Sequence, residues 1–100
     1  MKYEIKFPSE RIENKFYKNL SKIHQPKIQD NIMERIEQLA DNPRPEGKSF
    51  KTLKPPIEIY QYAADCRLRI GNYRVLYDIN DEKKTVWILH LRKRDEKTYR

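Results

Sequence analysis

Arginines set inside strand patterns are the residues of this chain best suited to chemistry. Residues 66–80, "CRLRIGNYRVLYDIN", read as two strands joined by a tight turn at Gly71-Asn72, yet Arg67, Arg69 and Arg74 fall within the strands rather than at their ends. A guanidinium is planar, permanently charged and forked, and so matches the oxygens of a phosphate. Successive strand side chains alternate between faces. Arg67 and Arg69 therefore oppose Leu68 and Ile70, while Arg74, Leu76 and Asp78 oppose Tyr73, Val75, Tyr77 and Ile79. Over 85–92, Trp87, Leu89 and Leu91 oppose Val86, Ile88, His90 and Arg92. With the more apolar faces turned inward, Arg67, Arg69, Arg74, His90 and Arg92 collect on the other face, beside the basic tail "RKRDEKTYR". Like charges gathered this way repel unless an anion sits among them. A solvated face with Asp65, Asp78 and Glu58 as local partners accounts for any one arginine; the set as a whole points to phosphate binding.

The other reactive side chains are less informative. His90 is the one group of this region that titrates near neutral pH, and it reads as a strand histidine. His24 falls at an inter-helix turn and reads as surface. Cys66 is the single cysteine, which excludes an intrachain disulfide, fits a reducing compartment and reads as a small buried side chain. Histidines, cysteine and acids show no ligand spacing, so neither a metal nor a cofactor is expected. Tyr73, Tyr77 and Trp87 read as core, whereas Tyr60 and Tyr62 suit either the sheet or a partner.

The elements that must hold these side chains follow from periodicity. Tyr3, Ile5 and Phe7 alternate with Lys2, Glu4 and Lys6, a period-two strand that Pro8 stops. Ser9 then suits the N-cap of a helix with Ile12, Phe16, Leu20 and Ile23 along one stripe. Pro26 suits the first turn of a second helix carrying Ile28, Ile32, Ile36 and Leu39, which Asn42-Pro43 ends. Residues 43–56, "PRPEGKSFKTLKPP", read as a loop with one short extended piece. Strands are expected over 57–63, 66–70, 73–80 and 85–92, the first two separated at Ala64-Asp65 by a turn or merged into one bent strand. "NDEKK" at 80–84 is a polar hairpin turn. The fold class is α+β: an N-terminal strand, an antiparallel two-helix hairpin, then a three- to four-stranded antiparallel sheet with the helices on one face.

Composition is consistent with a single domain over 1–100. Apolar and charged residues each make up 37%, so one small core carries a highly charged surface. The net charge of +7 favours a polyanionic partner: nucleic acid, a membrane surface or an acidic protein segment. Residues 1–50 hold 10 Lys/Arg against 8 Asp/Glu, and residues 51–100 hold 12 against 7, so the excess lies mostly with the second half. No apolar run suits a signal peptide or a membrane span, and the expected location is the cytoplasm.

The run "LRIGNYRVLYDINDEKKTVWIL", followed by a basic turn and a closing "TYR", resembles the RelE/ParE superfamily of toxin–antitoxin toxins. The family pattern is an Arg-x-Gly-x-Tyr-Arg-(apolar)2-Tyr hairpin, a charged turn, a hydrophobic strand and a late basic…Tyr segment. Here it falls on Arg69, Gly71, Tyr73, Arg74, Tyr77, Lys93-Arg94 and Tyr99. The resemblance implies a small toxin restrained by a cognate antitoxin, with operator DNA as a further partner reached through that antitoxin. Its RelE branch cleaves mRNA on the ribosome without metal, through attack of the ribose 2′-OH on its own phosphate; its ParE branch poisons DNA gyrase on the same fold. Carried over residue by residue, the catalytic set is Arg69, Arg74, Arg94 (Lys93 in an ungapped alignment) and Tyr99. The phosphate-binding set is Arg67, Arg92, Lys93, Lys54 and Lys51. One departure stands out: Asp65 occupies a position where the RelE branch often has lysine, a role that Lys54 or Lys51 would have to take. The alternatives to a nuclease are a gyrase inhibitor and a degenerate antitoxin-binding module.

Overall fold

A computed structural model describes residues 2–94. The chain runs β1 (Glu4–Lys6), α1 (Glu10–Ser21), α2 (Pro26–Gln38), β2 (Phe50–Ile59), β3 (Tyr62–Ile70), β4 (Tyr73–Asn80) and β5 (Thr85–Lys93). The strands form one five-stranded sheet in the order β1-β5-β4-β3-β2. Strands β2 to β5 are antiparallel neighbours, while β1 returns to pair parallel with β5. The sequence suggested the antiparallel part; the parallel edge strand is an addition to it. Among the described residues, no helix is long and apolar enough to cross a membrane.

Both helices begin where their chemistry says they should. Ser9 Oγ accepts a hydrogen bond from the Ile12 N–H at 3.2 Å, satisfying one of the donors that a helix start leaves unpaired. Pro26 opens α2, where its missing N–H costs nothing. Ile12 and Phe16 of α1, and Ile32 and Ile36 of α2, are buried. Phe16, Ile32 and Ile36 meet Leu68, Val75 and Ile88 of the sheet in the main core. Each such side chain contributes about 1.5–3 kcal/mol on burial. Cys66 lies in the same core, where burial pushes its thiol up to about 11, so it is packing rather than a nucleophile.

Two boundaries differ from the sequence expectation. Strand β2 already starts at Phe50, inside the supposed loop, because Phe50, Lys51 and Thr52 pair with Leu68, Arg67 and Cys66. Pairing breaks between Thr52 and Ile57, where two consecutive prolines lack ladder donors, and resumes with Ile57 opposite Ala64. Ala64-Asp65 is accordingly mid-strand. The chain turns instead at Tyr60-Gln61, with Tyr60 at φ 56°.

A β-bulge changes the parity of β5. Leu76 pairs with His90 but Tyr77 pairs with Ile88, leaving Leu89 without a register partner. Strict alternation would set Ile88 and His90 on one face. With the bulge, Val86, Ile88 and Leu91 all enter the main core, and His90 and Arg92 stay in register with Leu76 and Arg74. Trp87, expected in the core, is half-buried in a second, smaller cluster with Leu76 and Leu89.

Polar ties close the frame. The buried Tyr77 hydroxyl donates to the Pro43 carbonyl at 2.7 Å, fixing the exit of α2 to the sheet. At the β4–β5 turn, Asp81 accepts two hydrogen bonds from Arg44, at 2.9 and 3.2 Å, and one from Tyr3 at 2.6 Å. Arg44, then Tyr3, hold its carboxyl down at about 2.

Candidate functional site

The hairpin register places the arginines in a row. Around the Gly71-Asn72 turn, Ile70 pairs with Tyr73 and Arg69 with Arg74; Arg74 in turn pairs with Arg92 on β5. Paired residues project from the same face, so three guanidinium stems stand side by side across β3, β4 and β5. Two residues further along the strands, about 7 Å away, a second row reads Lys51, Arg67, Leu76 and His90. The basic positions taken from sequence are thus largely brought together: Arg67, Arg69, Arg74, Arg92 and Lys51 share one patch. Arg94 lies just past the end of β5, its N–H donating to the Asn72 carbonyl at 2.7 Å, at the same end of the sheet as the first row.

Other candidates fall elsewhere. Lys93 pairs with Tyr73, on the helix side of the sheet, and lines a groove with Asn19, Lys22 and Ile23. Lys54 sits in the unpaired stretch of β2 before Pro55, exposed and outside both rows. Tyr99 lies outside the described residues.

The electrostatics of the patch are unusual for a sheet face. Arg67, Arg69 and Arg74 are half-buried, and Arg92 is only 4% exposed. The Nε atoms of Arg67 and Arg74 are buried without a hydrogen-bond partner among the described residues. Burial, and then the charges of Arg74 and Arg69, lower the pKa of Arg67. The ion pairs among the described residues lie elsewhere, joining Lys2 to Asp41, Lys6 to Glu4 and Arg44 to Asp81. Among the described residues, Arg67 finds a single weak acceptor, the Lys48 carbonyl at 3.4 Å. Unpaired buried donors beside like charges are costly unless an anion fills the space.

Asp65 and Asp78 do not neutralise these arginines. They lie opposite each other instead: burial first, then the neighbouring Asp65 carboxyl, push Asp78 up to about 6. Asp78 therefore keeps its proton to a higher pH than an ordinary carboxyl. It was missed in sequence, although the register about Gly71-Asn72 that sets Arg69 opposite Arg74 also sets residue 65 opposite 78. Chemically, the patch offers several cations to one or two phosphates, with a histidine and the Asp65–Asp78 carboxyls at increasing distance along the same strands.

Comparison with known proteins gives this patch a context. Residues 10–98 match the family model described as ParE toxin of type II toxin–antitoxin system, parDE. No curated protein matches the chain. Among solved structures, the toxin–antitoxin complex RelBE2 of Mycobacterium tuberculosis is similar at 27% identity and TM-score 0.66, covering 96% of this chain and 95% of that one. The archaeal RelE–RelB complex of Pyrococcus horikoshii OT3 is similar at 25% identity and TM-score 0.71, covering 96% and 99%. A double arginine-to-alanine variant of Escherichia coli toxin RelE, in the free state, shares the fold at 22% identity and TM-score 0.62, covering 99% and 90%. An N-terminal strand, a helical pair and an antiparallel sheet bearing the Arg69–Arg74 hairpin, with a family model spanning nearly all of it, make this chain a ParE-family toxin of the RelE/ParE superfamily, built on the RelE-like fold and belonging to a type II toxin–antitoxin module.

Proposed function

We propose that this toxin is a metal-independent endoribonuclease that cuts mRNA on the ribosome and so stops translation. The observation that carries the reading is the row Arg69–Arg74–Arg92, flanked by Arg67, with buried guanidinium nitrogens of Arg67 and Arg74 left without partners among the described residues. Cleavage of this kind joins the 2′-oxygen to the neighbouring phosphorus and breaks the bond to the 5′-oxygen, leaving a 2′,3′-cyclic phosphate and a 5′-hydroxyl. It needs a base for the 2′-OH, cations on the phosphorane oxygens and a proton or positive charge for the leaving oxygen. Arg69 and Arg74 take the phosphorane, and Arg94 serves the leaving oxygen. Tyr99 takes the 2′-OH proton or stacks on a base. Arg67, Arg92 and Lys51 hold flanking phosphates, while Lys54 and Lys93 stand outside the two rows. The ribosome supplies the positioning, so naked RNA is a poor substrate. The relatives solved as RelE–RelB and RelBE2 complexes support a cognate antitoxin as the restraining partner. Operator DNA, in this reading, is reached through that antitoxin.

The test is induction in cells followed by mapping of mRNA 5′ ends. Cleavages confined to translated codons are expected; single replacements of Arg74 and Arg94 should remove them, with losses of about 10²-fold or more for a group acting on the transition state. A second reading is favoured by the ParE description of the matching family and by Asp65, engaged with Asp78 where the RelE branch often carries lysine. It is inhibition of DNA gyrase without chemistry. Intact mRNA together with gyrase-trapped DNA breaks would establish it and end the nuclease reading. A degenerate module would bind its antitoxin and give neither signal.

A further inference from the structure

Helix α1 carries a second cationic surface that the arginine rows do not use. Arg11, Lys15 and Lys18 of α1 and Lys22 at its C-cap recur at helical spacing, fall on one stripe and are all exposed. At 1.5 Å per residue the stripe is about 16 Å long. Core residues Ile12 and Phe16 occupy a neighbouring face, so the stripe borders the sheet instead of pointing away from it. Two grooves show the junction. Lys15 shares one with Leu89 and His90, and Lys22 shares another with Arg92 and Lys93. The stripe is therefore contiguous, across β5, with the sheet's cationic patch. At its far end stands Tyr60, 46% exposed at the β2–β3 turn, with the Arg11 guanidinium 3.8 Å from its ring centroid. Arg11, Lys15, Lys18 and Tyr60 line a groove whose single carboxylate is Glu10. Among the described residues, no ion pair engages any of the four cations.

We propose that this stripe is a second phosphate track, which holds the RNA strand continuing past the nucleotide bound at the arginine row, with Tyr60 as a platform for one of its bases. The proposal rests on the nuclease reading above. A strand is favoured over an acidic peptide because the cations repeat every three or four residues along a straight line and end on an exposed ring. That pattern fits phosphates in series followed by a base.

The test uses the full chain and uncleavable 2′-O-methyl oligouridylates of four and twelve nucleotides, with affinity followed across a salt series. Lys15→Gln, Lys18→Gln and Lys22→Gln combined should flatten the slope of log affinity against log salt by about 2 on the twelve-mer, at roughly 0.7 per lost contact. The four-mer should be unaffected. A control removing the same charge at Lys2, Lys27 and Lys83 should leave both slopes in place. Tyr60→Ala should weaken the twelve-mer severalfold without altering its slope. Equal losses in the stripe variant and the control, or an unchanged twelve-mer slope, would overturn the track. So would a stripe variant that loses an oligoglutamate peptide but keeps RNA. The nuclease reading fails separately, if the parent chain leaves translated mRNA intact in cells.

Discussion

Replacing Arg74 with methionine should make the protein more stable and less active at once. Arg74 stands between Arg69 and Arg92 in register, so its charge meets a like charge on each side. Directly opposed like charges cost about 0.2–1 kcal/mol per pair relative to neutral residues. Its Nε is buried with no partner among the described residues, and an unsatisfied donor costs a further 1–3 kcal/mol. The guanidinium is half-exposed, so solvent screening trims both contributions. Methionine keeps much of the aliphatic stem and so keeps most of the packing. A net gain of about 1 kcal/mol follows, which for a domain of this size raises Tm by roughly 4–8 °C. Thermal unfolding in low salt, monitored by circular dichroism, measures it. The mechanism has a second signature. Sulfate should raise the Tm of the parent chain more than that of Arg74→Met, because an anion bound to the folded state stabilises it by mass action. A variant that melts below the parent, or a sulfate increment equal in both, would refute the account of Arg74 as an anion ligand.

Three further outcomes follow from other parts of the molecule. The pKa of Asp78 is raised in the folded state, so its contribution to stability is fully present below the ordinary carboxylate value near 3.8 and is lost as pH rises through about 6. Asp78→Asn should therefore flatten stability between pH 4 and 7 and gain about 1 kcal/mol at pH 7, after discounting for solvent exposure, as read by urea unfolding across pH. Tyr77→Phe leaves the Pro43 carbonyl without its buried donor and should cost about 1–2 kcal/mol in the same assay, with mRNA cleavage unchanged. Ser9→Ala removes the cap of α1 and should cost about 1 kcal/mol, detectable as a lower Tm.

Local rules carried the sequence reading a long way. Ser9, Pro26 and the apolar stripes placed both helices, because caps and a 3.6-residue period act within a few residues of each other. Gly71-Asn72 set the hairpin register, and with it the meeting of Arg69 and Arg74. What escaped was non-local. Nothing near Glu4–Lys6 says that it pairs in parallel with β5, some eighty residues away along the chain. The start of β2 was hidden in "KSFKTLKPP" because proline and lysine depress strand propensity, whereas the open edge of β3 rewards pairing regardless. The place of Trp87 was lost through one extra residue in β5, which period-two counting cannot see. The patch itself was assembled correctly from parity at Arg67, Arg69 and Arg74. Lys93, by contrast, looked equivalent to Arg92 in sequence but faces the helices.

That extra residue bears on how such a site can arise and be lost. Leu89 lets a single strand serve two masters, feeding Val86 and Ile88 to the core and then, half a step out of phase, offering His90 and Arg92 to the cationic face. Excising that one residue would leave a regular ladder, with His90 still opposite Leu76 and Arg92 still opposite Arg74. Keeping it but drawing it into the ladder would instead send Leu91 outward and Arg92 inward, while the first half of the strand kept its pairing. A lineage could thus retire this patch by a substitution that flattens the bulge, without touching an arginine.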